Sequence, residues 1–372
     1  MADVKSYSSR PVLTVNLTAL AENYKYLAAK ASPAKVGASV KADAYGLGAA
    51  VVGRALYGAG CRIFFVAHAG EGKILRTAIG SKASIYVLSG NTPQDTAIFF
   101  GSKLKPVINS LTQARDWVKA CQPVKHAPRT ALHFDTGINR LGIPKEEAEI
   151  FATDKTLLTD LDVDLVMSHL ACSGEPNHPL NAIQLARFKK IAGRMPMVPL
   201  SLANTGAIYL GPEYHFKLVR TGIGLYGGKI TDNPQDEQVK PVVELHAPVL
   251  QIKTVKAGET LGYNASFTAK NDMKIAIVSA GYADGLPVNL SGSDKRIVTS
   301  ARLGKSRVDV IGRVSMDYTI LDITDYDGFV ELGAKAVFFG EDLENQAAHA
   351  HMINYEVMTH LGARCRKIYV NE

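Results

Sequence analysis

Three observations predict an α/β chain built as a (β/α)8 TIM-like barrel followed by a mainly antiparallel β domain. Short apolar runs of strand length recur eight times up to Arg220, each pair separated by enough chain for a helix. The length of 372 residues exceeds what one core usually organises, so a second domain is expected. Beyond the turn-rich stretch 230–237, with its Asp232-Asn233-Pro234, the pattern changes to strand signals broken by Gly, Asp and Pro clusters. The expected domains are therefore residues 12–232 for the barrel and 233–372 for the β domain, with residues 1–11 a candidate to pack with the latter.

Taken in order, Leu20, Tyr24, Leu27 and Ala31 recur at helical spacing, with Thr18 placed to cap the first turn. Strand-like runs follow at 36–41, 63–67, 85–89, 105–109, 130–135, 164–169, 198–203 and 216–220. In the second half the strand signals fall at 249–255, 274–279, 296–299, 307–311, 318–322 and 336–339, and one helix-like segment covers 345–360. In a (β/α)8 barrel the chemistry lies at the C-terminal ends of the strands, so functional residues are expected just after each run.

Composition narrows the function. With 47% hydrophobic residues the chain can bury substantial cores. The net charge of +7 is spread over 42 basic and 35 acidic residues, and the densest basic stretches are short. That excludes a nucleic-acid stripe and suits attraction of a small anionic ligand. Cys61, Cys121, Cys172 and Cys365 are far apart, with no spacing that suggests a metal site or a disulfide framework, and they read as reduced thiols of a cytoplasmic protein. No signal-peptide pattern opens the chain and no stretch is long enough to span a membrane, so no membrane partner is expected.

The residues after the strand runs form a coherent set. Lys41 sits at the mouth of the first run, in Val40-Lys41-Ala42-Asp43-Ala44-Tyr45, before a glycine-rich turn that opens a helix. A lysine there loses hydration, its pKa falls, and the amine can hold an aldehyde as a Schiff base. Arg140 follows the fifth run, His169 ends the sixth, Asn204-Thr205-Gly206 follow the seventh, and Arg220-Thr221-Gly222-Ile223 the eighth. Loops after strands seven and eight are the usual phosphate cradle of this fold. A phosphate near Thr205, Gly222 and Ile223, with an amine on strand one, points to pyridoxal 5'-phosphate.

These motifs resemble those of the alanine racemases, fold-type III enzymes dependent on pyridoxal phosphate. The resemblance rests on Lys41-Ala42-Asp43-Ala44-Tyr45-Gly46, Asp135-Thr136-Gly137 through Arg140-Leu141-Gly142, Ala203-Asn204-Thr205, Arg220 with Gly222-Ile223, and Leu225-Tyr226-Gly227. It continues through Gly281-Tyr282-Ala283-Asp284-Gly285, Gly312-Arg313-Val314-Ser315-Met316-Asp317 and Asn354-Tyr355-Glu356, in the order of the family. It implies racemisation of L- and D-alanine, with Lys41 carrying the cofactor and acting as one base, and Tyr263 of the partner subunit in a homodimer as the other. It also implies Arg220 at the pyridine nitrogen, His169 supporting Tyr263 and Arg220, and Arg140 at the cofactor's phenolic oxygen. Tyr45, Asn204, Thr205, Tyr355 and the amides of Gly222 and Ile223 would hold the cofactor, chiefly at its phosphate. Arg140, Met316 and Tyr282 would meet the substrate, and D-alanine would supply peptidoglycan.

Some positions depart from the family's pattern. His133 stands where many relatives carry a carbamylated lysine that orients the arginine, so Arg140 must be held another way, by a bound anion or by Asn139. Leu47 and Ser201 replace histidines, Thr205 a serine, Thr221 a proline, Val288 an arginine and Tyr318 a glutamine. A fold-type III decarboxylase is the nearest enzymatic rival, and it would want a carboxylate where Arg220 stands. A noncatalytic carrier of the cofactor would be a lone barrel, and serine or broad-spectrum racemisation stays open.

Overall fold

The computed structural model describes residues 8–230 and 238–371. Most of the turn-rich stretch at 230–237, and with it the expected boundary at 232, lies outside the described residues. Two compact units are present, one spanning Leu20–Lys240 and the other formed from Pro241 onward together with residues up to Ala19.

In the first unit all eight strand runs lie in one parallel sheet: β2 Lys35–Ser39, β3 Ile63–Val66, β4 Ser84–Val87, β5 Lys105–Ile108, β6 Thr130–His133, β7 Val163–Met167, β8 Leu200–Ser201 and β9 Leu218–Thr221. Sequential neighbours pair from β2 to β8, and β9 pairs with β2. Backbone bonds from Lys217 N to Leu200 O, 3.2 Å, and from Arg220 N to Ala203 O, 2.9 Å, close the ring between β8 and β9.

A strand presents alternate residues to one face, and here that periodicity sorts the barrel by height. The apolar cluster Phe65, Tyr86, Val107, Ala131, Leu165, Met167 and Leu218 gathers residues from six barrel strands. Two residues further along, the same faces carry Asn109, His133, His169 and Arg220. An apolar layer thus supports a polar one at the C-terminal end, and Asn109, His133 and Arg220 in it are buried.

The second unit holds β1 Val12–Asn16, β10 Val243–Val255, β11 Thr260–Leu261, β12 Phe267–Thr268, β13 Met273–Val278, β14 Ser300–Leu303, β15 Ser306–Ile311, β16 Thr319–Asp322, β17 Lys335–Phe339 and β18 Arg366–Val370. The 13-residue β10 pairs with β1 and β17 along its first half and with β13 along its second, which closes a ring through β16, β15 and β14. Several sequence readings need correction. The strand expected at 296–299 lies at Ser300–Leu303, because it is Ser300 to Leu303 that pair with β15. The helix read over 345–360 is two helices, Leu343–His349 and Asn354–His360, interrupted where His351 takes φ 55°. β1 and β18 were missed; among the described residues they form the one parallel pair of a sheet that is mainly antiparallel, as expected, and β1 belongs to this unit although residue 12 was assigned to the barrel. The cap of helix Leu17–Ala31 is Asn16, whose Oδ1 accepts from Ala19 N at 2.9 Å, and Thr18 lies inside the helix.

Candidate active site

Lys41 follows β2 and heads an unusual turn. Ala42, Asp43, Ala44 and Tyr45 take φ of 52°, 52°, 54° and 56°, a run of left-handed residues without glycine. Each such residue costs about 1–2 kcal/mol, so the turn needs external support. Glu71 supplies it: one carboxylate oxygen accepts from Ala42 N at 2.8 Å and the other from Ala67 N at 2.7 Å, tying the turn to the end of β3. Asp43 Oδ1 accepts from Ala49 N at 2.7 Å and anchors the far side to the helix Ala49–Gly58. Burial lowers the Lys41 pKa below that of an ordinary lysine; the Arg140 charge reinforces this and Glu71 opposes it.

Arg220 is buried in the polar layer and, among the described residues, is satisfied without a carboxylate. It donates to Ser201 O at 3.0 Å, Ser201 Oγ at 2.6 Å, Ser168 O at 2.5 Å and His169 Nδ1 at 3.2 Å. Ser201 Oγ in turn donates to Leu218 O at 2.6 Å. Burial pushes the guanidinium down to about 9, so it keeps its charge at neutral pH. Burial first, then the charges of Arg220 and Arg140, hold His169 well below the ordinary histidine range. It is a neutral imidazole that accepts from Arg220 at Nδ1 and keeps its proton on Nε2.

Arg140 is exposed, on a loop organised by Asp135, whose Oδ1 accepts from Gly137 N at 2.8 Å, Ile138 N at 3.1 Å and Asn139 N at 3.3 Å. Its charge bears on Lys41, His133 and His169, which places it at the same mouth.

The loops after β8 and β9 converge beside Tyr45. Thr205 Oγ1 accepts from Gly222 N at 2.9 Å, and Asn204 Oδ1 accepts from Ala207 N at 3.2 Å, shaping the loop. A Cβ on Gly222 would stand 2.5 Å from Tyr45 Oη, and one on Gly224 would stand 2.6 Å from the Thr205 methyl. Tyr45 is buried against Tyr226, ring centroids 4.6 Å apart. Ile223 opens the short helical turn Ile223–Tyr226 directly after Gly222. Hydroxyls and backbone amides therefore gather at one place, the donor set a phosphate takes.

In the β unit, Tyr263 lies in the loop between β11 and β12 and is 68% exposed. Gly262 beside it takes φ 72°, and a Cβ there would approach Arg313 N to 3.0 Å. Tyr282 N donates to Ser315 O at 3.0 Å and Ala283 N to Met316 O at 3.1 Å, so the Tyr282 and Met316 motifs are stitched together. Gly281 allows this contact, since a Cβ would stand 2.3 Å from Ser315 O. The Tyr282 and Met316 loops thus form one cluster, the Tyr263 loop touches the same strand-end turn at Arg313, and all three side chains are exposed. Tyr355 lies in helix Asn354–His360 of the same unit.

The comparisons with known proteins follow this division. The family model for the alanine racemase N-terminal domain matches residues 15–230, and that for the C-terminal domain matches residues 242–369. The chain belongs to the alanine racemase family. A catabolic alanine racemase of Agrobacterium fabrum is 43% identical over 364 residues, covering 96% of this chain and 92% of its own. The alanine racemase of Brucella abortus is 38% identical over 383 residues, covering 99% and 96%. Among solved structures, the Bartonella henselae alanine racemase with covalently bound pyridoxal phosphate has a TM-score of 0.89 at 33% identity, covering 98% of this chain and all of its own. The family is one of amino-acid racemases, which are isomerases. Sequence reading missed Glu71 and Asp43 as supports of the alanine racemase lysine turn, and treated Ser201 only as a departure. Glu71 had a signal, because a glutamate three residues after His68 marks a helix start; its second bond, to Ala42, had none.

Proposed function

We propose that this chain interconverts L- and D-alanine, with pyridoxal 5'-phosphate as cofactor and Lys41 and Tyr263 as bases on opposite faces of the substrate. The observation that carries the reading is the barrel mouth itself, where a lysine of lowered pKa stands with a buried guanidinium that has no carboxylate partner. The residues suit the cofactor: Lys41 would attach it, Arg220 would face the pyridine nitrogen, and Tyr45, Thr205, Gly222 and Ile223 would surround the phosphate. Asn204 shapes that loop, Arg140 would meet the phenolic edge, and Tyr355 is assigned to the phosphate by family pattern.

When bound, pyridoxal phosphate draws electron density from the substrate α-carbon and acidifies its proton. The chain's own groups do the rest. Lys41 Nζ, its pKa lowered by burial, takes or returns a proton on one face near neutral pH. Tyr263 does so on the other. Arg220 would keep its own proton and so would leave the pyridine nitrogen without one, which would weaken the electron sink and disfavour transamination. His169, neutral, holds the Arg220 guanidinium in place. Tyr282 and the backbone at Met316 would bound the substrate beside Arg140.

Because Tyr263, Tyr282 and Met316 are exposed on the β unit, a second copy of the chain is the natural recipient of this cluster, giving a homodimer with shared sites. No helix among the described residues is long and apolar enough to cross a membrane. We assign the enzyme to the cytoplasm and its product D-alanine to peptidoglycan. The catabolic alanine racemase of Agrobacterium fabrum supports a second physiological role, in alanine breakdown.

Incubating the cofactor-loaded protein with single enantiomers of alanine and serine in heavy water tests the reaction. Inversion of alanine with α-deuterium uptake is expected, and no inversion of any amino acid would sink the reading. Tyr263→Phe should keep cofactor binding and cripple α-proton exchange of one enantiomer, whereas normal turnover in both directions would remove Tyr263 from the mechanism.

A further inference from the structure

His133 ends β6 inside the polar layer, buried, with Nδ1 2.8 Å from Asn109 Oδ1 and with no partner at Nε2 among the described residues. The direction of the bond to Asn109 is settled by the other end of the amide. Asn109 Nδ2 donates to Leu88 O at 3.0 Å and to Val107 O at 2.8 Å. Carbonyl oxygens cannot donate, so a flipped amide would set oxygen against oxygen. Asn109 Oδ1 is therefore an acceptor, His133 Nδ1 carries the proton, and Nε2 presents a lone pair.

We propose that His133 is a positioning residue for Arg140: locked by Asn109 in its Nδ1–H form, it offers Nε2 as the hydrogen-bond acceptor that orients the guanidinium over the site. This rests on the reading above, in which Arg140 meets cofactor and substrate. The charges facing His133 agree with an acceptor. Burial, Arg220 and Arg140 push its pKa down to about 3, with Asp135 opposing, and His169 next to it is neutral. An unprotonated imidazole nitrogen attracts a cation and repels an anion. It therefore replaces the bound anion considered from the sequence, and holding Arg140 needs no modified side chain. Both histidines of the layer are neutral, but their protons are on opposite nitrogens: His169 receives Arg220 at Nδ1, and His133 holds out Nε2.

The tautomer is measured in apo-protein with 15N-labelled histidine, the His133 signals being assigned by their loss in His133→Gln. A pyrrole-type Nδ1 and a pyridine-type Nε2 from pH 8 to pH 5 are expected. An imidazolium, or a proton on Nε2, at pH 7 would overturn the proposal. In the wild-type holoenzyme, replacing chloride with a bulky anion should leave the KM for alanine unchanged; a several-fold rise would identify an anion site instead. His133→Gln, which keeps an acceptor, should stay near the wild-type KM, while His133→Leu should raise it about tenfold with a smaller change in kcat. In an Arg140→Ala background, His133→Leu should add nothing, whereas an independent further loss would make His133 merely structural. If the leucine variant does not fold, the wild-type tautomer and chloride measurements still decide. A wild-type enzyme that inverts no amino acid fails the racemase reading and leaves the tautomer result standing.

Discussion

Lys41 and Lys105 belong to the same barrel and stand at opposite ends of it. Lys105 begins β5, pairs with Asp164, and lies 5.1 Å from the centre of the Tyr86 ring, whose hydroxyl donates to Asp164 at 2.9 Å. Lys41 follows β2 at the other end, beside Arg140 and Arg220. At the floor, charge meets a carboxylate and a stacked aromatic pair, Phe65 with Tyr86, and the result is stability. At the mouth, cations gather and the deepest of them is satisfied by serine, backbone carbonyl and a neutral histidine. That end keeps its positive field for an anionic ligand, and it holds Lys41 on a left-handed turn. The contrast matches the general division of such barrels, with chemistry at the C-terminal face and stability at the other.

Exchanging the two lysines' roles by mutation breaks the comparison most directly. Lys41→Ala should reduce racemisation roughly a thousandfold or more and abolish covalent cofactor attachment, read as loss of the cofactor's bound absorbance band. Lys105→Ala should keep that band and instead cost about 1–3 kcal/mol in urea unfolding, because the half-buried Asp164 is left with the Tyr86 hydroxyl but without its cation. A Lys105→Ala protein of wild-type stability would refute the floor's structural role. Ser201→Ala removes one donor–acceptor pair from Arg220 and should cost about 1–3 kcal/mol, seen as weaker cofactor affinity with the band still present.

A smaller effect separates the two ends by pH. The lowered pKa of Lys41 means that, between its folded value and 10.5, the unfolded chain binds the extra proton, so stability rises with pH across that window. Below the window both states are protonated and the full penalty of burying the charge is felt. Apo-protein carrying Lys41→Met should therefore be more stable than wild type near neutral pH, with the gap closing toward pH 10.5. A gap that widens with pH would contradict the burial of Lys41.

Much of this was legible in the sequence because it is local. The eight runs of apolar residues set the barrel strands, and the alternation within them carries Arg220 and His133 to one height. What was lost is what distant segments decide. β1 and β18 are short and ordinary in composition, and they become strands by pairing with each other, β1 also with β10. Asn345 to His360 reads as one helix-like segment, yet the backbone turns left-handed at His351 and ends the first helix before it. Ser201 looked like an absence of histidine until Arg220, 19 residues later, was seen to use its hydroxyl and its carbonyl.

The sequence by itself determined the barrel, the order of its motifs and the residue types at the strand ends, since these follow from periodicity and from side-chain chemistry. Only the tertiary structure decided the left-handed turn under Lys41, the tautomers of His133 and His169, and the union of the Tyr282 and Met316 loops. Each depends on a hydrogen bond or close contact between residues far apart along the chain. No local pattern encodes which carboxylate will reach Ala42 or which amide will hold a histidine's proton.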